Sequence, residues 1–216
     1  QTCALPILQP FRSDYKNLNL LTNNSISNIV DNSRYVWIGT WKGLNLYDKQ
    51  ACKIIPFPDT RLLDKGINYM AADKEDNIWI GAGNTIYRCN STASIAREYD
   101  IFGSQQNKHV INFVYQDREG NMWVLTGGGL FRYDDKSDSF ITYPPLGRNN
   151  APYTMYQDQS GNYWIGTWGE GLWQFFPKKE GEECYKRHHI INSRSGETEP
   201  IFYSMTQDNK IGRAHV

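Results

Sequence analysis

The chain has 216 residues, and its 23 Lys plus Arg balance 23 Asp plus Glu, so it lacks the concentrated basic face that nucleic acid requires. Aromatic residues make up 14%, led by 14 Tyr and 7 Trp, and 18 Gly accompany them; this mixture favours strands and tight turns over helices. No apolar run is long enough to span a membrane, no basic-then-apolar leader is visible, and the four Cys have neither metal-type spacing nor the density of a disulfide scaffold.

In chain order, the first residues, 1–7, read as translated sequencing adapter, and so do 211–216; the two codon strings are near reverse complements. The expectation is a genuine segment from Leu8 to Lys210, cut at both sides. Residues 8–25 are a poorly patterned lead-in.

A ten-residue pattern then occurs four times, at Asp31–Thr40, Asp73–Ala82, Asp117–Thr126 and Asp158–Thr167. In every copy a Trp follows the Asp by six residues, giving Trp37, Trp79, Trp123 and Trp164, with steps of 42, 44 and 41. A period of this size, with four short strands per unit, is the sign of a β-propeller blade. The expected fold is all-β, a partial propeller of four complete four-stranded blades plus the start of a fifth. The expected divisions are 26–66, 67–109, 110–152 and 153–200 for the blades, with 201–210 as the first strand of the fifth.

Each unit has one plan. A short apolar strand ends at the Asp, whose carboxylate is suited to accept backbone N–H groups of the following turn. The second strand carries the Trp, followed by Gly in three copies and by Leu125 in the third. A Gly-rich hairpin, a third strand and a less regular outer strand follow. The four Asp–Trp pairs read as structural: the large ring fills the space to the next sheet and the small Gly lets that sheet approach. Cys89 occupies a slot held elsewhere by Tyr47, Tyr133 and Phe175, which marks it as a buried thiol. The pattern fails after Asp208, where Ala214 stands in place of Trp.

Catalytic motifs are missing. Glu182-Glu183 and Asp134-Asp135 read as solvated loop charges, His188-His189 point to opposite faces of a strand, and no metal or cofactor motif is present. The Asp-to-Trp step is one residue longer than in the Asp boxes of sialidases, and the Trp-Asp and Gly-His pairs of WD propellers are absent. Two other Trp, Trp41 and Trp168, extend the repeat into the polar hairpin after the second strand. Two readings stand for them: packing on the rim of the neighbouring blade, or stacking on a sugar face, with Lys42, Asn45 or Glu170 bonding its hydroxyls.

The stretch Asp158-Gln159-Ser160-Gly161-Asn162-Tyr163-Trp164-Ile165-Gly166-Thr167 with Gly171-Leu172, and Trp37-Ile38-Gly39-Thr40 with Gly43-Leu44 and Tyr47-Asp48, resemble the two-component regulator propeller family. Ala82 and Leu125 depart from its pattern. The resemblance implies a non-catalytic segment of the periplasmic ligand-sensing propeller of a hybrid sensor histidine kinase. It further implies an oligosaccharide or polysaccharide ligand, and as partners the remaining blades, the signalling domains and a second copy of the parent. The alternatives are a propeller of a carbohydrate-active enzyme, glycosidase or lyase, and a non-catalytic interaction scaffold. A segment this short would form an open arc with two uncovered blade faces.

Overall fold

The computed structural model describes residues 20–103, 109–146, 151–191, 196–198 and 200–206; both adapter-like tails, most of the lead-in and the Asp208–Ala214 break lie outside them. The described residues form an all-β fold of four antiparallel four-stranded sheets, each built from four strands taken in sequence order. The first sheet holds β1 (Ile26–Asp31), β2 (Tyr35–Thr40), β3 (Gly43–Asp48) and β4 (Lys53–Pro56). The second holds β5 (Ile67–Ala72), β6 (Ile78–Ala82), β7 (Thr85–Cys89) and β8 (Ile95–Tyr99). The third holds β9 (Ile111–Gln116), β10 (Met122–Thr126), β11 (Gly129–Asp134) and β12 (Ser139–Thr142). The fourth holds β13 (Ala151–Gln157), β14 (Tyr163–Trp168), β15 (Leu172–Phe175) and β16 (Tyr185–His188), so its first strand begins two residues before the expected 153.

The sheets stack face to face through their first strands: β1 lies against β5, β5 against β9, and β9 against β13. Apolar residues from adjoining sheets fill each seam. Between the first two sheets, Trp37, Leu44, Leu46 and Phe57 meet Ile67, Met70, Ile80 and Tyr87. Trp79 reaches from the second sheet to Tyr133 of the third at 4.8 Å between ring centroids, and Trp123 reaches from the third to Phe175 of the fourth at 5.4 Å. The Gly after the Trp permits this closeness: a Cβ on Gly39 would stand 2.7 Å from Ile67 Cγ2, and one on Gly81 2.6 Å from Ile111 Cγ2. Leu125 fits at the same place in the third sheet, where the residue at the matching register of the next strand is Pro152.

The start of a fifth unit is visible. Phe202 N–H donates to the Thr167 carbonyl at 3.0 Å, Ile201 bridges Trp168, and a Cβ on Gly166 would stand 2.8 Å from Phe202 Cβ. At the other end the face of the first sheet is partly covered. Leu21 packs on Ile38 and Ile54, with Val36 and Tyr47 beside them.

The Asp of each turn does more than cap it. Its Oδ1 accepts the N–H four residues on, at 2.8 Å in Asp73 and Asp117 and 2.9 Å in Asp158. Its Oδ2 accepts the indole N–H six residues on: Trp79 at 2.7 Å, Trp123 at 2.8 Å, Trp164 at 2.9 Å. The six-residue step therefore aims the ring as well as closing the turn.

The first sheet corrects the expectation for Asp31. Asp31 is the last residue of β1; it is exposed and pairs with Lys49 at 2.9 Å. The turn is one residue shorter, closed by Asn32 N–H on the Tyr35 carbonyl, and Asn32 Oδ1 accepts the Tyr35 N–H at 2.9 Å. This shortening explains why Arg34 needs no left-handed backbone, whereas Asp76, Gly120 and Gly161 all have positive φ. It also leaves the fully buried Trp37 Nε1 without a partner, because the second side-chain atom of Asn32 is an NH2 donor and cannot accept.

Candidate functional site

The hairpins after the second strands, and the connections that lead to each next sheet, lie at one rim. Three of these hairpins share a staple: the hydroxyls of Thr40, Thr126 and Thr167 donate to the carbonyls of Gly43, Gly129 and Gly171 at 2.8, 3.2 and 2.9 Å. The same oxygens accept a backbone N–H from Lys42, Gly128 and Glu170. The second sheet has Ala82 there, with a two-residue Gly83-Asn84 turn of the same length as in the first and third sheets.

A second regular feature was not foreseen. Each inner strand carries a bulge near its start, at Ser27, Asn68, Asn112 and Tyr153. A bulge re-aims the side chain it frees. Asn68 accepts the Gly83 N–H at 2.7 Å, and Asn112 donates to the Pro152 carbonyl at 3.2 Å, so two of these side chains tie the rim together. Tyr153 instead turns its ring to Trp168.

Trp168 ends β14, and its ring is 48% exposed. It meets Tyr153 at 5.7 Å and Tyr203 at 5.0 Å between centroids, and the two tyrosines stand 6.4 Å apart. Tyr153 is 41% exposed and Tyr203 60%. The three rings form one apolar surface on the rim. Gly169 and Gly171, both at positive φ, carry the hairpin around it and donate to the Pro200 carbonyl at 2.9 Å. Glu170, two residues after Trp168 on the same hairpin, pairs with Arg187 at 4.0 Å. Sequence reasoning missed Tyr153 and Tyr203; comparing the copies at the bulge position, which read Ser, Asn, Asn and Tyr, is the signal that finds the first.

The other candidates are scattered. Trp41 is 61% exposed, and its ring edge lies against the backbone at Gly66, on the connection to the second sheet. Two sheets separate it from Trp168, so these two rings do not converge. Lys42 is exposed beside Trp41. Asn45 is corrected: it is fully buried, its Oδ1 accepts the Thr22 N–H at 3.0 Å, and its Nδ2 donates to Thr22 Oγ1 at 2.9 Å. That amide belongs to the packing of the lead-in and is closed to a ligand.

On the opposite rim, a hollow of about 440 Å³ opens between the second and third sheets, lined by Arg88, Arg97, Tyr133 and Asp138 among others. Its charges are largely answered from within. Asp138 accepts the hydroxyls of Tyr99 and Tyr133, both at 2.7 Å, and Arg97 Nε at 3.0 Å; these bonds hold its carboxyl below the usual carboxylate range. Arg88 lies over the Trp79 ring at 5.2 Å. Cys89 is buried and its thiol is pushed up to about 12 by that burial, so it is inert. Among the described residues, no three or more His, Cys, Asp or Glu are grouped to hold a metal, and no helix is long and apolar enough to cross a membrane.

Residues 146–169 match the family model for the two-component regulator propeller. The match covers the first two strands of the fourth sheet, and the family is the one the sequence pattern resembles. No curated protein matches the sequence. Among solved structures, the fold is similar to the extracellular domain of a hybrid two-component system from B. thetaiotaomicron, with TM-score 0.70, 21% identity, and coverage of 86% of this chain and 25% of that one. A second such domain from the same organism gives TM-score 0.66, 21% identity, and coverage of 85% and 25%. Virginiamycin B lyase from Staphylococcus aureus gives TM-score 0.62, 14% identity, and coverage of 82% and 60%. The chain therefore spans a quarter of the length of the two extracellular domains.

Proposed function

We propose that the chain is a segment of the extracytoplasmic, periplasmic ligand-sensing propeller of a hybrid two-component sensor, and that its rim binds oligosaccharide or polysaccharide fragments. The segment itself carries no catalysis; the parent supplies the remaining blades, the kinase and a second copy for dimeric signalling. The observation that carries the ligand reading is the exposed ring cluster of Trp168, Tyr153 and Tyr203, with Glu170 two residues along the same hairpin. Such a surface suits the apolar face of a sugar ring, with a charged group on the hairpin to bond hydroxyls. The family match at 146–169 and the fold shared with sensor domains support the sensor reading. Ligand binding would favour one arrangement of the dimer and bias the kinase across the membrane.

The test is glycan titration with Trp168→Ala and Trp41→Ala. A loss of tenfold or more in affinity for Trp168→Ala supports the reading, and unchanged affinity in both variants removes the sugar-stacking surface.

A further inference from the structure

The second sheet alone has Ala82 in place of the stapling Thr. Like the third sheet with Gly127 and Asn112, it has Gly83 where the first and fourth sheets have Trp41 and Trp168, and Asn68 where the fourth has Tyr153. What the fourth sheet fills with rings is left empty here. The space is a hollow of about 350 Å³ lined by Lys65, Gly66, Asn68, Ala82, Gly83, Asn84, Thr85 and Val110. Nothing lies within 4 Å of where a Cβ on Gly83 would stand, so the floor is open. Trp41 stands at its edge, with its ring against Gly66.

The lining has a definite chemistry. Lys65 is its one ionisable residue, and no carboxylate lines it. The Lys65 ammonium donates to the Tyr87 hydroxyl, which in turn is 3.2 Å from Glu98; the Glu98 charge is also met by Arg61 at 3.7 Å. Lys65 itself forms no ion pair among the described residues, and two of its three donors remain. Asn68 uses its oxygen on the Gly83 N–H, which leaves its NH2 group as a donor. The Asn84 amide and the Thr85 hydroxyl have no partner among the described residues. In the other three hairpins a Thr hydroxyl accepts the corresponding backbone N–H; Ala82 cannot.

We infer that this hollow is a second subsite on the rim, and that it takes an anionic sugar unit, a uronate. Its ring lies beside the Trp41 indole, and its carboxylate meets Lys65 and the amides of Asn68 and Asn84. A cation with unused donors, set among neutral donors in a lining without carboxylates, selects an anion over a neutral hydroxyl. The inference rests on the reading of this rim as a ligand face and adds the charge class of the ligand.

The experiment is calorimetric titration of the full chain with oligogalacturonate and chondroitin disaccharide, each against its carboxyl-reduced counterpart. Lys65→Met and Asn68→Tyr are titrated alongside; the second fills the hollow with the residue that the fourth sheet tolerates at this position. The expected result is binding of an acidic glycan at least tenfold tighter than that of its reduced form, with the difference abolished in Lys65→Met and binding lost in Asn68→Tyr. Equal affinity for acidic and reduced forms, or no binding of any acidic glycan, overturns the inference. The wider sugar reading fails separately, if Trp168→Ala leaves neutral-glycan binding unchanged.

Discussion

The Tyr163 hydroxyl, on the fourth sheet, donates to Oδ2 of Asp117, on the third, at 2.7 Å. The same oxygen holds the Trp123 indole N–H at 2.8 Å, so the carboxylate that aims a ring within one sheet also fastens the next sheet to it. Burial, followed by the bond to Asp117, pushes the Tyr163 phenol above its usual range. The matching positions in the second and third sheets are Ile78 and Met122, which offer no such link. Tyr163→Phe should therefore cost about 1.5–3 kcal/mol, the worth of a hydrogen bond to a charged group. Its effect should fall on the seam between third and fourth sheets. Hydrogen exchange should show faster opening of β13 and β14 with β1 to β4 unchanged.

Asn32 and Trp37 give the converse case. The buried indole N–H of Trp37 has no acceptor because an amide NH2 stands where the other turns have a carboxylate oxygen. Asn32→Asp should supply that acceptor and stabilise the chain by about 1 kcal/mol, less the weak 3.4 Å bond from Asn32 Nδ2 to the Asp76 carbonyl. Trp37→Phe should cost less than Trp123→Phe, since only the latter removes a bonded N–H and takes a donor from the Asp117 carboxylate. Urea midpoints of the three variants check this; equal losses for the two Trp→Phe changes would contradict it.

The repeat, the strand count and the spacing of the sheets were legible because they rest on side chains that recur at a fixed step. The Asp-to-Trp step of six coincides with a carboxylate–indole bond in three of the four copies. It failed at Asp31 because the first turn is one residue shorter, and an Asp happens to precede the Asn32 that does the work. Asn45 was misplaced for a different reason. Its burial depends on Thr22, a lead-in residue outside the repeat, and no periodicity reports such a contact. The bulges were invisible because a bulge is a property of pairing between two strands, and the sequence of one strand does not display it. Tyr153 was therefore counted as an ordinary inner-strand residue, although its ring belongs with Trp168.

Acid should loosen the turns before it loosens the seams. Burial disfavours the Asp158 carboxylate, but bonds from Trp164, Asn162 and Ser160 outweigh it and hold the group below the usual range. Asp138 is lowered by Tyr99, Tyr133 and Arg97. A carboxyl whose folded pKa is depressed contributes stability that is full above its unfolded value, about 3.9, and is lost as pH falls through the lower folded value. Stability should thus be flat above about pH 5 and fall steeply below about pH 4. Asp158→Asn should lower stability at pH 7 and make the acid fall shallower. A parallel shift of the whole curve would show that Asp158 does not contribute through its charge.

The Gly after the Trp is a test of how sheets are spaced. A Cβ on Gly81 would stand 2.6 Å from Ile111 Cγ2, and that branched side chain is pinned in the seam, fully buried beside Val114 and Val124. Gly81→Ala should therefore cost about 1–3 kcal/mol through overpacking, although alanine suits a strand no worse than glycine. Removing the obstructing methyls should return part of that loss. In Gly81→Ala with Ile111→Ala, the double variant should be more stable than the sum of the single losses implies, by about 1 kcal/mol or more, because the two residues touch. The third sheet already contains the compensated form, Leu125 facing β13, where Pro152 stands in place of Ile. Additive losses in the urea midpoints would mean that the sheets separate freely at this point, and that Gly81 is there for its backbone and not for its size.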